Sequence, residues 1–341
     1  MKKTVPSMAV ALGLGLALAT PSLAQAPATA APQRTITQVR GDLYKVQSGP
    51  GVQPVTVVLV TPEGIVMTDP LNPEFSAWLK GELAARFPGK PVRYVLQTHY
   101  HWDHARGGAV FDTAKVVAHE EMTRNLARPI REARPPGDTD DLDGDDRLTR
   151  EEAQTGTRAQ FDRLDANHDG FLTQAEMAAD IRRPDITFKD RYTVNLGGER
   201  VELIHAGGRH TSDLYDVYFP AEKVLFAQDY VWINRMCCIS AFDRRPLQTW
   251  IDSVKKLEAL DFDIIVNSHW DAGTKADVVA FRHYLEDLQA AVSQGIREGK
   301  SLEELQRTVT LDKYKGWAGY DMQRPAMIQS AYLSLTRYSK P

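Results

Sequence analysis

A chain of 341 residues, 43% of them hydrophobic, is long enough for one large domain or two medium ones and apolar enough to bury a sizeable core. Its 41 basic residues against 45 acidic ones leave a formal net charge of −4 at pH 7, which gives no electrostatic basis for nucleic acid binding. The only two cysteines, Cys237 and Cys238, are adjacent, so disulfides between distant elements are excluded. The pair is expected as two small buried residues on a loop, with a vicinal disulfide as the alternative.

The chain opens on a targeting segment. Lys2 and Lys3 precede an apolar run from Met8 to Ala19, and Ser22-Leu23-Ala24 suits cleavage after Ala24. The run is shorter than the ~20 residues that span a bilayer. Residues 1–24 are therefore expected to be removed, giving a periplasmic or secreted protein with no stable membrane anchor. Residues 25–34 form a flexible Pro/Ala-rich leader.

Short strands follow from residue 35, rich in Val, Thr and Ile and separated by turns at Gly41-Asp42, Gly49-Pro50-Gly51 and Pro62-Glu63-Gly64. "EFSAWLKGELAARF" is predicted as an amphipathic helix presenting Phe75, Trp78, Leu79 and Leu83. "PVRYVLQTH" and "VVAHEE" read as strands. Composition then shifts to a basic, Pro-rich stretch and an acidic helical block, bounded at 127–184. Strands resume at 185 with a hairpin turning at Gly197-Gly198, followed by "DLYDVYFP", "KVLFAQD", the helix "LQTWIDSVKKLEAL" and the strand "FDIIVNSHW". Residues 291–341 are expected as a helical C-terminal extension. The bodies at 35–126 and 185–290 thus read as two parts of one α/β domain, interrupted by a small all-α insertion.

"QTHYHWDHARGG" crowds His99, His101, Asp103 and His104 into six positions at a predicted strand end. Alternation along an extended segment points His99 and His101 the same way, and Asp103 and His104 turn back as a helix begins. Imidazole and carboxylate together suit zinc, iron or manganese. The absence of cysteine suggests an open, catalytic centre rather than a structural one.

The pattern H-x-H-x-D-H at a strand end resembles the metallo-β-lactamase-fold superfamily of hydrolases. Three further positions match that family in its order: His210 in "GGRHTSD", Asp229 after "VLFAQ" and His269 after "DIIVNS". Gln228 stands where glycine is usual, and Asn267-Ser268 where Pro-Gly is common. The resemblance covers roughly residues 35–290 without the acidic block. It implies a four-layer αββα sandwich with His99, His101 and His210 on one metal, Asp103, His104 and His269 on a second, and Asp229 bridging them. It further implies a metal-bridged hydroxide as nucleophile, with Asp103 or Asp229 shuttling the proton. Zinc is the first expectation for the two transition-metal ions. The other histidines, His119, His168, His205 and His283, are read as structural or solvated.

"DANHDGFLTQAE" carries oxygen ligands at the spacing of an EF-hand calcium loop: Asp165, Asn167, Asp169, the carbonyl of Phe171, Thr173 and Glu176, with Gly170 at the sharp turn. Upstream, "DLDGDDRLTREE" repeats the pattern with Asp141, Asp143, Asp145, the carbonyl of Arg147, Thr149 and Glu152. Here Asp146 replaces the glycine, and aspartate tolerates positive φ better than most residues. Leu148 and Leu172 are the apolar residues that pair such loops, and "REEAQTGTRAQFDRL" is predicted as the helix between them. One or two calcium ions are expected, as a structural brace first; a protein partner docking on the insertion is the sharper alternative.

The site favours hydrolysis of a small carbonyl substrate: a lactone, ester, thioester or β-lactam. The resemblance disfavours the β-lactam, because lactamases of the fold commonly have Cys or Ser where Asp229 stands. Tyr100, Trp102, Tyr230, Trp232 and Arg235 are candidates for the substrate pocket. Two alternatives stand beside the hydrolase: a calcium-dependent binding module on a non-catalytic scaffold, and a mononuclear iron enzyme acting on sulfur compounds.

Overall fold

The computed structural model describes residues 1, 33–51, 53–128, 141–153, 155–207, 210–237, 242 and 245–338. The expected signal peptide beyond residue 1 and most of the leader lie outside them.

Runs of β-branched residues build two sheets. The first takes β1 (Thr35–Arg40), β2 (Leu43–Gln47), β3 (Val55–Thr61), β4 (Gly64–Thr68), β5 (Val92–Leu96), β6 (Lys115–His119) and β7 (Ile186–Phe188) in that spatial order. It begins as an antiparallel meander and becomes parallel from β4 onward. The second is ordered β13-β12-β11-β10-β9-β8, from β8 (Arg191–Leu196), β9 (Glu199–Ile204), β10 (Asp216–Phe219), β11 (Val224–Ala227), β12 (Ile264–Asn267) and β13 (Gly273–Thr274). Within it β11 and β12 run parallel.

The period of two along each strand sorts side chains between layers. Val57, Leu59, Val66, Leu96 and Val117 meet Leu203, Val217, Phe226 and Val266 of the other sheet in a central core. The opposite faces carry Val58, Ile65, Met67 and Val95, which pack on Phe75, Leu79 and Leu83 of the helix Pro73–Arg86. That helix starts where Asn72 accepts a hydrogen bond from Phe75 N–H, with Pro73 in its first turn. On the far side, Leu225, Ala227 and Ile265 pack on the helices Leu247–Glu258, Lys275–Arg297 and Tyr320–Tyr338. The layers therefore run helix, sheet, sheet, helix.

The boundary expected at 290–291 falls inside the helix Lys275–Arg297. Leu305, Met327, Ile328 and Ala331 bury their side chains in the same cluster as Trp250 and Phe281, so the C-terminal helices complete the outer layer instead of extending beyond it. In the acidic segment, the single helix predicted between the loops is broken into Thr155–Arg158 and Phe161–Leu164. Two threonines and a glycine make "TGTR" a weak helix that stops after one turn. Leu148 and Leu172 exchange both backbone hydrogen bonds at 2.9 Å, joining the two loops over a small core of Ala153, Phe161, Leu164 and Met177.

Cys237 is disulfide-bonded and only partly buried, which replaces the expectation of two small buried residues with the disulfide alternative. Cys238, the chain's other cysteine, lies outside the described residues.

Candidate metal centre

Parallel pairing delivers the site residues side by side. Thr68 of β4 is in register with Leu96 of β5, so Asp69 and His99 follow adjacent strand ends. Ala227 of β11 is in register with Asn267 of β12, which places Asp229 beside His269. His101 is extended (φ −60, ψ 145) and caps the four-residue helix Trp102–Ala105, whose first turns carry Asp103 and His104. His210 enters from the loop after β9.

Two groups of ligand atoms result, each spanning no more than 4.8 Å: one from His99, His101, His210 and Asp229, the other from Asp103, His104 and His269. These are the residues that the sequence assigned to two metals. Asp229 Oδ2 joins the groups, at 3.7 Å from His99 Nε2, 3.4 Å from His210 Nε2, 3.4 Å from His104 Nε2 and 3.3 Å from His269 Nε2. Asp103 Oδ2 lies 3.3 Å from His269 Nε2 and 3.6 Å from His104 Nε2.

A second layer fixes the rings. Asp69, fully buried, accepts from Thr98 N–H at 2.8 Å and faces His104 Nδ1 at 3.1 Å. An Nδ1–H donated to Asp69 leaves His104 Nε2 facing the centre, 3.4 Å from Asp229 Oδ2. The Thr98 hydroxyl sits 2.7 Å from Asp69 Oδ2, 3.0 Å from Gln228 Oε1 and 3.2 Å from His99 Nδ1. Ser268 Oγ donates to Asp229 Oδ1 at 2.5 Å, and Asn267 Nδ2 donates to the carbonyl of Val231. The departures at Gln228, Asn267 and Ser268 are thus hydrogen-bonding members of the site's support.

Without an ion, protonated imidazoles balance the carboxylates of the set. Burial pushes the Asp229 carboxyl up, but His104 and His269 outweigh it and hold the group well below the usual range. Burial pulls His269 down, and Asp229 and Asp103 reverse this and lift it to about 10. His99 is held low by burial and by the neighbouring charge of His104, and its buried Nε2 has no hydrogen-bond partner. A neutral imidazole lone pair orphaned against a carboxylate is what a divalent cation would satisfy.

The pocket assignments fare differently. Tyr230 and Trp232 are buried core residues: Tyr230 donates its hydroxyl to Asp216, and Trp232 Nε1 donates to the carbonyl of Asp229. Through these bonds they support the Asp229 turn from the core. Tyr100 is likewise buried, and Trp102 packs toward the acidic segment. Arg235 remains near the centre, its guanidinium 5.3 Å from the ring of Trp270, the residue after His269. His119 and His205 stack on each other, ring centroids 4.2 Å apart, outside both ligand groups.

Asp69 was missed in the sequence. Its signal is an aspartate closing an apolar strand one element before the histidine run. Asp213 was also passed over: buried, it accepts from Asn125 Nδ2 at 2.8 Å and from the backbone of Tyr100.

In the acidic segment, Asp146 adopts φ 66 and Gly170 φ 84. Their N–H groups donate to Asp141 Oδ2 and Asp165 Oδ2, each at 3.0 Å, so the loops turn alike despite the missing glycine. Oxygens of Asp141, Asp143 and Glu152 lie within 4.8 Å of one another. Asn167 Oδ1 and Asp169 Oδ1 accept from the N–H groups of Asp169 and Phe171, and Asp145 Oδ1 accepts from Arg147 N–H. Thr149 and Thr173 donate to Glu152 and Glu176.

A family model described as the metallo-beta-lactamase superfamily matches residues 49–269. The alpha subunit of 2,4-dinitroanisole O-demethylase from Nocardioides sp. (strain JS1661) is 22% identical over 278 residues, covering 80% of this chain and 68% of that subunit. A metallo-beta-lactamase from Pontibacter korlensis superposes with a TM-score of 0.52 at 19% identity, covering 74% of this chain and 99% of that one. The stereoselective inverting sec-alkylsulfatase Pisa1 from Pseudomonas sp. gives a TM-score of 0.61 at 15% identity over 89% of this chain, which spans 50% of the sulfatase. At these identities the structural likenesses establish the fold.

Proposed function

The chain belongs to the metallo-beta-lactamase superfamily as a metal-dependent hydrolase, and from that premise we propose an exported enzyme with a dinuclear centre that cleaves a small ester-like substrate. The observation that carries the reading is the buried, unpartnered His99 Nε2 set among carboxylates and imidazoles that a second layer orients. His99, His101 and His210 would hold one ion, Asp103, His104 and His269 the other, and Asp229 would lie between them. Such ions supply Lewis-acid polarisation of the substrate and activation of water near neutral pH. Asp229, fixed by Ser268, would serve as a ligand. Asp103, half-exposed at 50%, would exchange a proton between the centre and the leaving group.

Lactones, esters, thioesters and β-lactams remain the carbonyl substrates to try. The relatives' names add 2,4-dinitroanisole and secondary alkyl sulfates. The paired loops support calcium binding by the insertion, one or two ions, as a brace. Among the described residues no helix is long and apolar enough to cross a membrane.

The test is elemental analysis of protein purified without chelator, with hydrolysis of that panel before and after chelation. About two transition-metal equivalents and chelator-sensitive turnover support the reading. A single iron replaces it with a mononuclear centre, and no retained transition metal overturns it. N-terminal sequencing of the protein from fractionated cells tests export.

A further inference from the structure

The insertion and the metal centre share side chains. Trp102 stands between His101 and Asp103 in sequence, and its ring packs against two apolar clusters. One is the insertion's own core of Leu148, Phe161, Leu164, Leu172 and Met177. The other joins Tyr100 and Ala105 of the ligand run to Ala118, Met122 and Ile181. Arg106, two residues after His104 and only 4% exposed, forms a bidentate pair with Asp180, with Nε–Oδ1 at 2.8 Å and Nη2–Oδ2 at 3.0 Å. The backbone of Arg106 also bridges Ile181. Where the chain enters the insertion, Asn125 donates to Ser212 and to Asp213, and Asp213 accepts the backbone N–H of Tyr100.

We propose that Trp102, Arg106 and Asp180 are positioning residues through which the insertion sets the geometry of the metal centre; the role rests on the metal-centre reading and is independent of calcium. A four-residue helix such as Trp102–Ala105 has no stability of its own, so tertiary contacts must decide where Asp103 and His104 point. Leu71 N–H and the Gln97 side chain hold the carbonyls of His104 and Ala105 from the sheet side. Trp102 and the Arg106–Asp180 pair hold the same turn from the insertion side. Ligands must stay within about 0.5 Å of their productive positions to bind a metal well, so loosening either side is felt at the ions. Coupling is reciprocal: a filled centre steadies the insertion as much as the insertion steadies the centre.

The experiment loads metal-stripped full-length protein with cobalt(II) and reads affinity by chelator competition and the visible spectrum of the bound ion. Trp102→Ala and Asp180→Asn are expected to weaken cobalt binding about tenfold or more, the usual effect of losing an outer-layer partner, and to alter the spectrum. Trp102→Phe and Asp180→Glu, which keep a ring and a carboxylate, are expected to recover most of both. In the unmutated protein, cobalt is expected to slow amide exchange at Leu148 and Leu172, whose N–H groups bond across the two loops. That measurement stands even where a variant fails to fold. Unchanged affinity and spectrum in Trp102→Ala, or exchange at Leu148 and Leu172 indifferent to cobalt, overturns the proposal while leaving the metal centre intact. An unmutated protein that takes up no cobalt overturns the metal-centre reading and this proposal with it.

Discussion

Asp69 Oδ2 lies 3.1 Å from His104 Nδ1, with both side chains fully buried. Burial raises the Asp69 carboxyl, and His104 and Thr98 work against that rise, so the pair is a hydrogen-bonded unit in a dry place. Its consequence is directional: with Nδ1–H committed to Asp69, His104 can offer only Nε2 to the centre. Asp69→Asn keeps the volume and loses the charged acceptor. The expected outcome is a 10- to 100-fold loss of transition-metal affinity, concentrated in the group of Asp103, His104 and His269. Competition titration measures it; wild-type affinity in this variant would show that His104 is oriented by other contacts.

Gly107 ends the ligand run in a left-handed conformation, φ +89, and a Cβ there would fall 2.5 Å from the carbonyl carbon and oxygen of Asn72. Backbone atoms cannot rotate aside as a side-chain end can. Gly107→Ala is therefore expected to cost the left-handed penalty of about 1–2 kcal/mol and a steric term above it. Gly89→Ala is the control, because φ there is +77 with nothing within 4 Å of the added carbon. Denaturant unfolding of the two variants separates the terms, and equal losses would mean that the Asn72 segment yields.

These cases show what was legible in the sequence. His99, His101, Asp103 and His104 are readable because strand alternation and a helix start bring near neighbours onto one centre. Asp69 is not, since an isolated Asp-Pro reads as a turn and its partner arrives only through the pairing of β4 with β5. Tyr230 and Trp232 were read as pocket residues from adjacency to Asp229. After that residue the chain turns back under the helix Leu247–Glu258, where Trp250 Nε1 donates to the Tyr230 carbonyl and both aromatics are buried. The calcium-loop pattern is local, so its turn geometry at Asp146 and Gly170 could be anticipated. The contact of Trp102 with the acidic segment is tertiary, and no spacing rule carries it.

Calcium should act on stability by mass action. With dissociation constants of about 10⁻⁴–10⁻³ M, about 10 mM calcium adds roughly 1.4–2.7 kcal/mol per site. Glu176 places Oε2 on Thr173 and leaves the buried Oε1 without a partner, so Glu176→Gln removes a charged ligand while keeping the cap. The expected outcome is a calcium-dependent rise in Tm that shrinks in Glu176→Gln. Calorimetry with and without calcium checks it, and a Tm insensitive to calcium in the unmutated chain would remove the ion from the insertion.

The Asp213 carboxyl gives the chain a pH dependence with a definite sign. Burial lifts it from 3.8 to about 6, with the neighbouring Thr211 and Asn125 side chains working against the rise. In the unfolded chain the group ionises at its ordinary value. Between the two, the native state keeps a proton that the unfolded state has lost. Stability therefore falls as pH rises from about 4 to about 6 and is level above that. The span amounts to about 3 kcal/mol at most. Asp213→Asn stays neutral throughout and keeps an oxygen for the Tyr100 N–H, so this part of the slope should vanish. Urea unfolding of metal-free protein at pH values across that window makes the comparison. The variant should gain on the parent as pH rises, because only the parent bears the cost of ionising a buried carboxyl. Parallel curves for parent and variant would mean that water or a rearranged Asn125 solvates Asp213, and that the acid is not held neutral by the fold.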